Sequence, residues 1–218
     1  MGTTTKNNTK YVSCLLDETG SMQEIKRDTM GGFNEYVETL KKDGGDIAFS
    51  LVSFNSNETK SRYVAEPIET VAPLTDDNYR PGAMTPLIDA SVKIIKATAK
   101  AVKKRRDEPL VLVVIQTDGY ENVSRKYTAA DLAALVKEKT EAGWQFVFLA
   151  AGLDAFDAAR SAGFRIDRDK TVSYDRGYSA DVFRETAKNS VEFLKSGKDD
   201  FLNYSPSQRA KVRDKRAT

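Results

Sequence analysis

Apolar positions along this chain follow two rhythms. Short, nearly continuous apolar runs alternate with longer stretches in which apolar residues recur every three or four positions. The run YVSCLLD (11–17) reads as a buried strand, PLVLVVIQTDG (109–119) as a strongly β-branched strand ending in a turn, and WQFVFLAAG (144–152) as another buried strand. DIAFSLVSFN (46–55) and TKSRYVAEPIE (59–69) read as two strands joined by a polar Ser-Asn turn, which predicts a hairpin. KTVSYD (170–175) is the last strand.

Helical spacing fills the gaps. Over 22–42, Met22, Ile25, Phe33, Val37 and Leu40 lie near helical spacing, with Gly31-Gly32 as a weak point and DGG (43–45) as the stop. A second helix spans 86–106, opening on Pro86, where a first turn tolerates proline, and ending in the cations KKRR. Further helices are predicted over 128–142, 154–162 and 179–196, the last ended by Gly197. Alternating β-branched strands and helices predict an α/β fold. It is doubly wound, with a mostly parallel central sheet, one antiparallel edge strand from the hairpin, and helices on both faces. The domain is expected over 10–197, between a polar tail at 1–9 and a polar, basic tail at 198–218.

Composition narrows the function classes. The 218 residues are 40% hydrophobic and 30% charged, with a net charge of +2, too balanced to argue for nucleic acid as a partner. The basic clusters KKRR (103–106) and RAKVRDKR (209–216) carry no interleaved aromatics, so they read as a solvated helix end and a solvated tail. Histidine is absent, which removes His-based zinc sites and Ser-His-Asp triads. The single cysteine, Cys14, lies in an apolar strand and cannot form an internal disulfide. The opening MGTTTKNNTK lacks an apolar signal core, Lys6 breaks the myristoylation pattern, and no run reaches the length of a membrane span. A cytoplasmic, soluble protein is expected.

Chemistry concentrates on one rim of the predicted sheet. Ligand sites in such sheets lie at the carboxyl ends of strands where the strand order reverses. Three loops are expected there. The first carries Asp17-x-Thr19-x-Ser21, the second carries Thr85 in RPGAMTPLIDA, and the third carries Asp118 in TDG. In extended backbone, alternate residues project to one side, so the first loop can aim three oxygens at one point. Two carboxylates and three hydroxyls form a hard oxygen set suited to Mg²⁺ or Mn²⁺. Each piece also has an ordinary use: Asp17 or Ser21 as a helix N-cap, Thr85 and TDG as turn residues, Glu18 and Glu121 as solvated acids.

The joint pattern resembles the von Willebrand factor type A family. The metal-ion-dependent adhesion site of that family has Asp-x-Ser/Thr-x-Ser, a distant Thr, and an Asp at a strand end. The matching positions are Asp17, Thr19, Ser21, Thr85 and Asp118. GGFNEYVETL, TPLIDA, TDGYENVS and GWQFVFLAAGLDA look like a cytoplasmic branch found in bacteria and their phages. The likeness covers roughly 10–196. One departure is Gly82-Ala83-Met84-Thr85, where many members carry Gly-Gly-Thr.

The resemblance implies a metal-dependent protein-binding module rather than an enzyme. Hydroxyls ligate the cation directly, one or both aspartates act through water, and an open position accepts an Asp or Glu carboxylate from a partner protein. An acidic rim of Glu18 and Glu121, with Tyr120 and Asn122, is expected to set specificity. In some relatives the last helix, here 179–196, shifts between affinity states. Two other classes compete: a structural or assembly scaffold, possible for a phage-related protein, and a magnesium-dependent phosphotransferase with Asp17 as nucleophile. Against the second, Thr19 stands where haloacid dehalogenase phosphatases place their general acid.

Overall fold

Alternating side chains along the first strand, Lys10–Asp17 (β1), set the architecture. Val12, Cys14 and Leu16 face one hydrophobic cluster, and Tyr11 and Leu15 face another, so β1 is buried on both sides. The computed structural model describes residues 9–103, 109–214 and 216. Within it, β1, Ile47–Phe54 (β2), Thr59–Pro67 (β3), Leu110–Thr117 (β4), Gln145–Ala151 (β5) and Thr171–Tyr174 (β6) form one sheet in the order β3-β2-β1-β4-β5-β6. All pairings are parallel except β2–β3, the expected hairpin. The order reverses at β1, which lies between β2 and β4, so the loops after β1 and β4 share one rim.

The helices are Lys26–Asp43 (α1), Leu87–Val102 (α2), Ala129–Glu141 (α3), Ala155–Ala162 (α4), Ser179–Ser196 (α5) and Pro206–Lys211 (α6). α1 and α5 cover one face and α2, α3 and α4 the other. Three of the starts are capped by local side chains, α6 by a capping box of Ser205 and Gln208. Thr128 and Asp131 form a capping box on α3, and Asp154 accepts from Asp157 N on α4. A 3-10 turn over Gly20–Ile25 leads into α1, so the α-helix begins later than 22.

Two sequence expectations fail here. Gly31-Gly32 does not weaken α1, which runs through both. Gly32 is where α1 approaches α5: a Cβ there would lie 2.8 Å from Ala180 Cα and from the Ser179 carbonyl oxygen. The second failure is the C-terminal tail. A 3-10 turn at Asp199–Leu202 and α6 fold back on the domain and bury Leu202, Tyr204, Arg209, Val212 and Asp214. Tyr204 Oη meets Thr186 Oγ1 of α5 at 2.5 Å. The Arg209 guanidinium donates to Asp214 at 2.7 Å and to the Thr171 carbonyl at 2.9 Å. The folded unit therefore extends to Asp214 at least. Of the basic clusters, 104–106 and 215 lie outside the described residues, as do 1–8 of the N-terminal tail and 217–218 at the other end.

Candidate metal centre

The first loop is held tightly from below. Asp17 ends β1 fully buried; its Oδ1 accepts from Thr19 N at 2.8 Å and its Oδ2 from Thr117 Oγ1 at 2.6 Å. Tyr79 Oη donates to the Asp17 carbonyl at 2.5 Å. Beyond it, Thr19 Oγ1 and Ser21 Oγ lie 3.3 Å apart, and Ser21 Oγ donates to Asp118 Oδ1 at 2.6 Å. Asp17, Thr19 and Ser21 form one hydrogen-bonded group that reaches across to the end of β4, but not by extended alternation: the strand stops at Asp17 and Ser21 lies in the 3-10 turn Gly20–Ile25, which folds the loop back toward Asp118.

The Thr85 loop is anchored to both neighbours. Gly20 N donates to the Ala83 carbonyl and Gly82 N to the Glu18 carbonyl, each at 3.0 Å. Ala83 has φ +64, a left-handed conformation that favours glycine, so this alanine sits in strained backbone. Asn122 clamps Thr85 from the other side: its Oδ1 accepts from Thr85 N at 3.0 Å and its N donates to the Thr85 carbonyl at 3.2 Å. A Cβ on Gly119 would lie 3.1 Å from Thr85 Oγ1, so the backbone after Asp118 passes directly beside that hydroxyl. Thr85 is buried on the same rim as the other four residues.

Electrostatics distinguish the two carboxyls. Burial pushes Asp17 up to about 7, partly offset by its bonds from Thr117 and Thr19 and reinforced by the Asp118 charge. Burial also raises Asp118, against the lowering effects of the Ser21 bond and the Arg176 guanidinium. Among the described residues no group of three or more His, Cys, Asp or Glu side chains is placed to hold a metal. A cation on this rim would rest on two carboxylates and three hydroxyls, an all-oxygen set that fits a hard divalent ion.

The expected acidic rim is not there. Glu18 is 2% exposed: its carboxylate accepts from Arg80 N at 2.6 Å and pairs with Arg62 at 3.0 Å. Glu121 is half-buried and accepts from Ile88 N at the start of α2 and from Val123 N and Ser124 N in its own loop. Both acids tie loops together. What the rim exposes instead is Met84 and Tyr120, two of the four exposed large hydrophobics among the described residues, so its outer surface carries apolar side chains. Sequence reasoning missed Thr117, Tyr79 and Arg176. Thr117, a polar residue closing an apolar strand beside Asp118, could have been found; Tyr79 and Arg176 give no local signal.

Comparison with known proteins places the fold. No family model matches the chain, and no curated protein sequence does. Among solved structures, proximal thread matrix protein 1 from the mussel byssus superposes with a TM-score of 0.61 at 11% identity, covering 83% of this chain and 48% of that one. The SpaC pilus adhesin of Lactobacillus rhamnosus GG, in its open conformation, superposes with a TM-score of 0.56 at 11% identity, covering 89% of this chain and 30% of that one. The chain thus spans about half the length of the mussel protein and under a third of the adhesin. At this identity the likeness shows the fold alone: a doubly wound α/β domain with a mostly parallel sheet. No helix among the described residues is long and apolar enough to cross a membrane.

Proposed function

We propose that this protein is a metal-dependent protein-binding module. Asp17, Thr19, Ser21, Thr85 and Asp118 hold a divalent cation, Mg²⁺ or Mn²⁺, and a partner protein completes its coordination with an Asp or Glu carboxylate. The observation that carries this reading is the hydrogen-bonded group of Asp17, Thr19, Ser21 and Asp118 from two loops at the point where the strand order reverses, with the Thr85 hydroxyl beside the backbone of Gly119. The sharing of the fold with an adhesin and a byssus matrix protein supports an interaction role. Neutral hydroxyls in direct contact leave the ion electrophilic, which favours an anionic oxygen from outside.

A phosphotransferase reading fits less well. Thr19, whose hydroxyl does not titrate near neutral pH, stands two residues after Asp17 where such an enzyme needs its general acid.

The test is thermal unfolding in EDTA, Mg²⁺ and Mn²⁺. At a hundredfold excess over Kd, a cation bound only by the native state adds about 2.7 kcal/mol, or roughly 5–10 °C in Tm for a chain of this size. Ser21→Ala and Asp118→Ala should erase the shift. An unchanged wild-type Tm in both saturating metals would refute the reading.

A further inference from the structure

One cation of the protein already sits against the candidate site. Arg176 lies in the loop between β6 and α5. Its Nη2 donates to Asp118 Oδ2 at 3.3 Å, and its Nη1 pairs with Glu24. The other Asp118 oxygen, Oδ1, accepts from Ser21 Oγ. One carboxylate is thus divided: one oxygen faces the hydroxyl cluster and the other faces a guanidinium. Asp17 differs, because the donors on both its oxygens are uncharged.

The guanidinium is held in place yet open. A Cβ on Gly152 would lie 3.2 Å from Arg176 Nε, so the stem packs along the backbone after β5. The Arg176 side chain is 40% exposed, whereas that of Asp118 is 0% exposed. It borders a groove of about 610 Å³ lined also by Lys26, Asp28 and Asp76. Of the other charges there, Lys26 pairs with Asp76 at 2.6 Å and Asp28 accepts from Ser179 N and Ala180 N at the start of α5, while Arg27 is a second exposed cation along the groove.

We infer that Arg176 is a specificity-determining residue of this site: it loosens the hold on the cation and gives the incoming carboxylate a second contact. This rests on the metal-site reading above. A guanidinium beside Asp118 offsets one of the two negative charges that would attract the ion. A +1 and a +2 charge a few ångströms apart in water-like surroundings repel by an amount worth about tenfold in affinity. A carboxylate has two oxygens, and a guanidinium fork binds carboxylates with charge-assisted hydrogen bonds. With one oxygen toward the ion and one toward Arg176, the anion answers both cations. Cation and carboxylate then bind cooperatively, each strengthening the other by the same factor.

The experiment is calorimetric titration of Mn²⁺ into the full chain, with and without sodium acetate at matched ionic strength. It compares wild type, Arg176→Ala, Arg176→Gln and Arg176→Lys. Loss of the charge in the Ala and Gln variants should tighten Mn²⁺ binding by about tenfold, while Lys, which keeps the charge, stays near wild type. Acetate should tighten Mn²⁺ binding in wild type and do so less in Ala and Gln. Should Ala fail to fold, Gln carries the comparison. Equal Mn²⁺ affinity in all variants, or weaker binding on loss of the charge, overturns the inference and leaves the metal site standing, with Arg176 as a loop tie. Absence of Mn²⁺ binding in wild type overturns the site and this inference together.

Discussion

Arg209–Asp214 and Arg176–Asp118 are the same pair of groups in two settings. In the first, both side chains are nearly or fully covered, the contact is 2.7 Å, and Arg209 also donates to the carbonyls of Thr171, Asp169 and Tyr204. Every group that burial strips of water is answered by the protein. In the second, the carboxylate is covered but the guanidinium is 40% exposed, and the contact is longer, 3.3 Å. The first pair closes the fold. The second leaves a charge that water or a ligand can reach. Burial of the cation, rather than the identity of the groups, separates a structural pair from one available for recognition.

The most severe way to break this comparison is to remove the structural pair together with its surroundings. Truncation after Gly197 deletes Leu202, Tyr204, Val212 and both ionic partners. It should abolish cooperative thermal unfolding; a sharp melt at the wild-type Tm would return 198–218 to the status of a tail. Less drastically, Asp214→Ala leaves Arg209 buried without its counter-charge and should cost about 3–5 kcal/mol in urea denaturation. A cost under about 1 kcal/mol would mean that the carbonyls alone satisfy the guanidinium.

Proton competition sharpens the other side. Asp17 is raised to about 7 in the native state, against about 3.9 in an unfolded chain. Between these values the native state binds the extra proton, so the metal-free protein loses stability as pH rises through that window. A divalent cation displaces the proton. The Mg²⁺-induced rise in Tm should therefore be small at pH 5 and larger at pH 8, and a shift that is equal at both would contradict it. The smallest expected effect is that of Arg176→Ala on metal-free stability, under about 1 kcal/mol, because half-open ion pairs contribute little. Chemical denaturation in EDTA measures it, and a loss matching that of Asp214→Ala would erase the distinction between the two pairs.

The elements were legible where apolar periodicity is local. β1, β4 and β5 are continuous apolar runs, and the hairpin of β2 and β3 announces its own turn. The loop Asp17-x-Thr19-x-Ser21 was legible because its three oxygen-bearing residues are local, although a 3-10 turn rather than extended backbone sets their geometry. What escaped depends on distant partners. Glu18 reads as solvated until Arg62 and Arg80, more than forty residues on, arrive to bury it. Gly32 reads as a helix breaker until α5 packs against it. Leu202, Tyr204 and Val212 follow no helical or strand period because they hang from two short turns rather than one regular element. Their burial belongs to the surface they meet.

The returning C-terminal segment also changes what the sheet offers to other chains. A sheet has two outer strands, and each is a row of backbone groups ready to pair with a stranger. At β6 that row is taken. Ser173 N donates to Asp214, Asp175 N donates to the Val212 carbonyl, and the Thr171 carbonyl accepts from Arg209. At β3 the strand carries the charges of Lys60 and Glu66, breaks register opposite β2, and holds Ala65 left-handed at φ +54. One margin is sealed and the other is roughened, so the molecule resists strand-to-strand aggregation by two independent means, and loss of the last turns would turn a folding problem into a solubility problem.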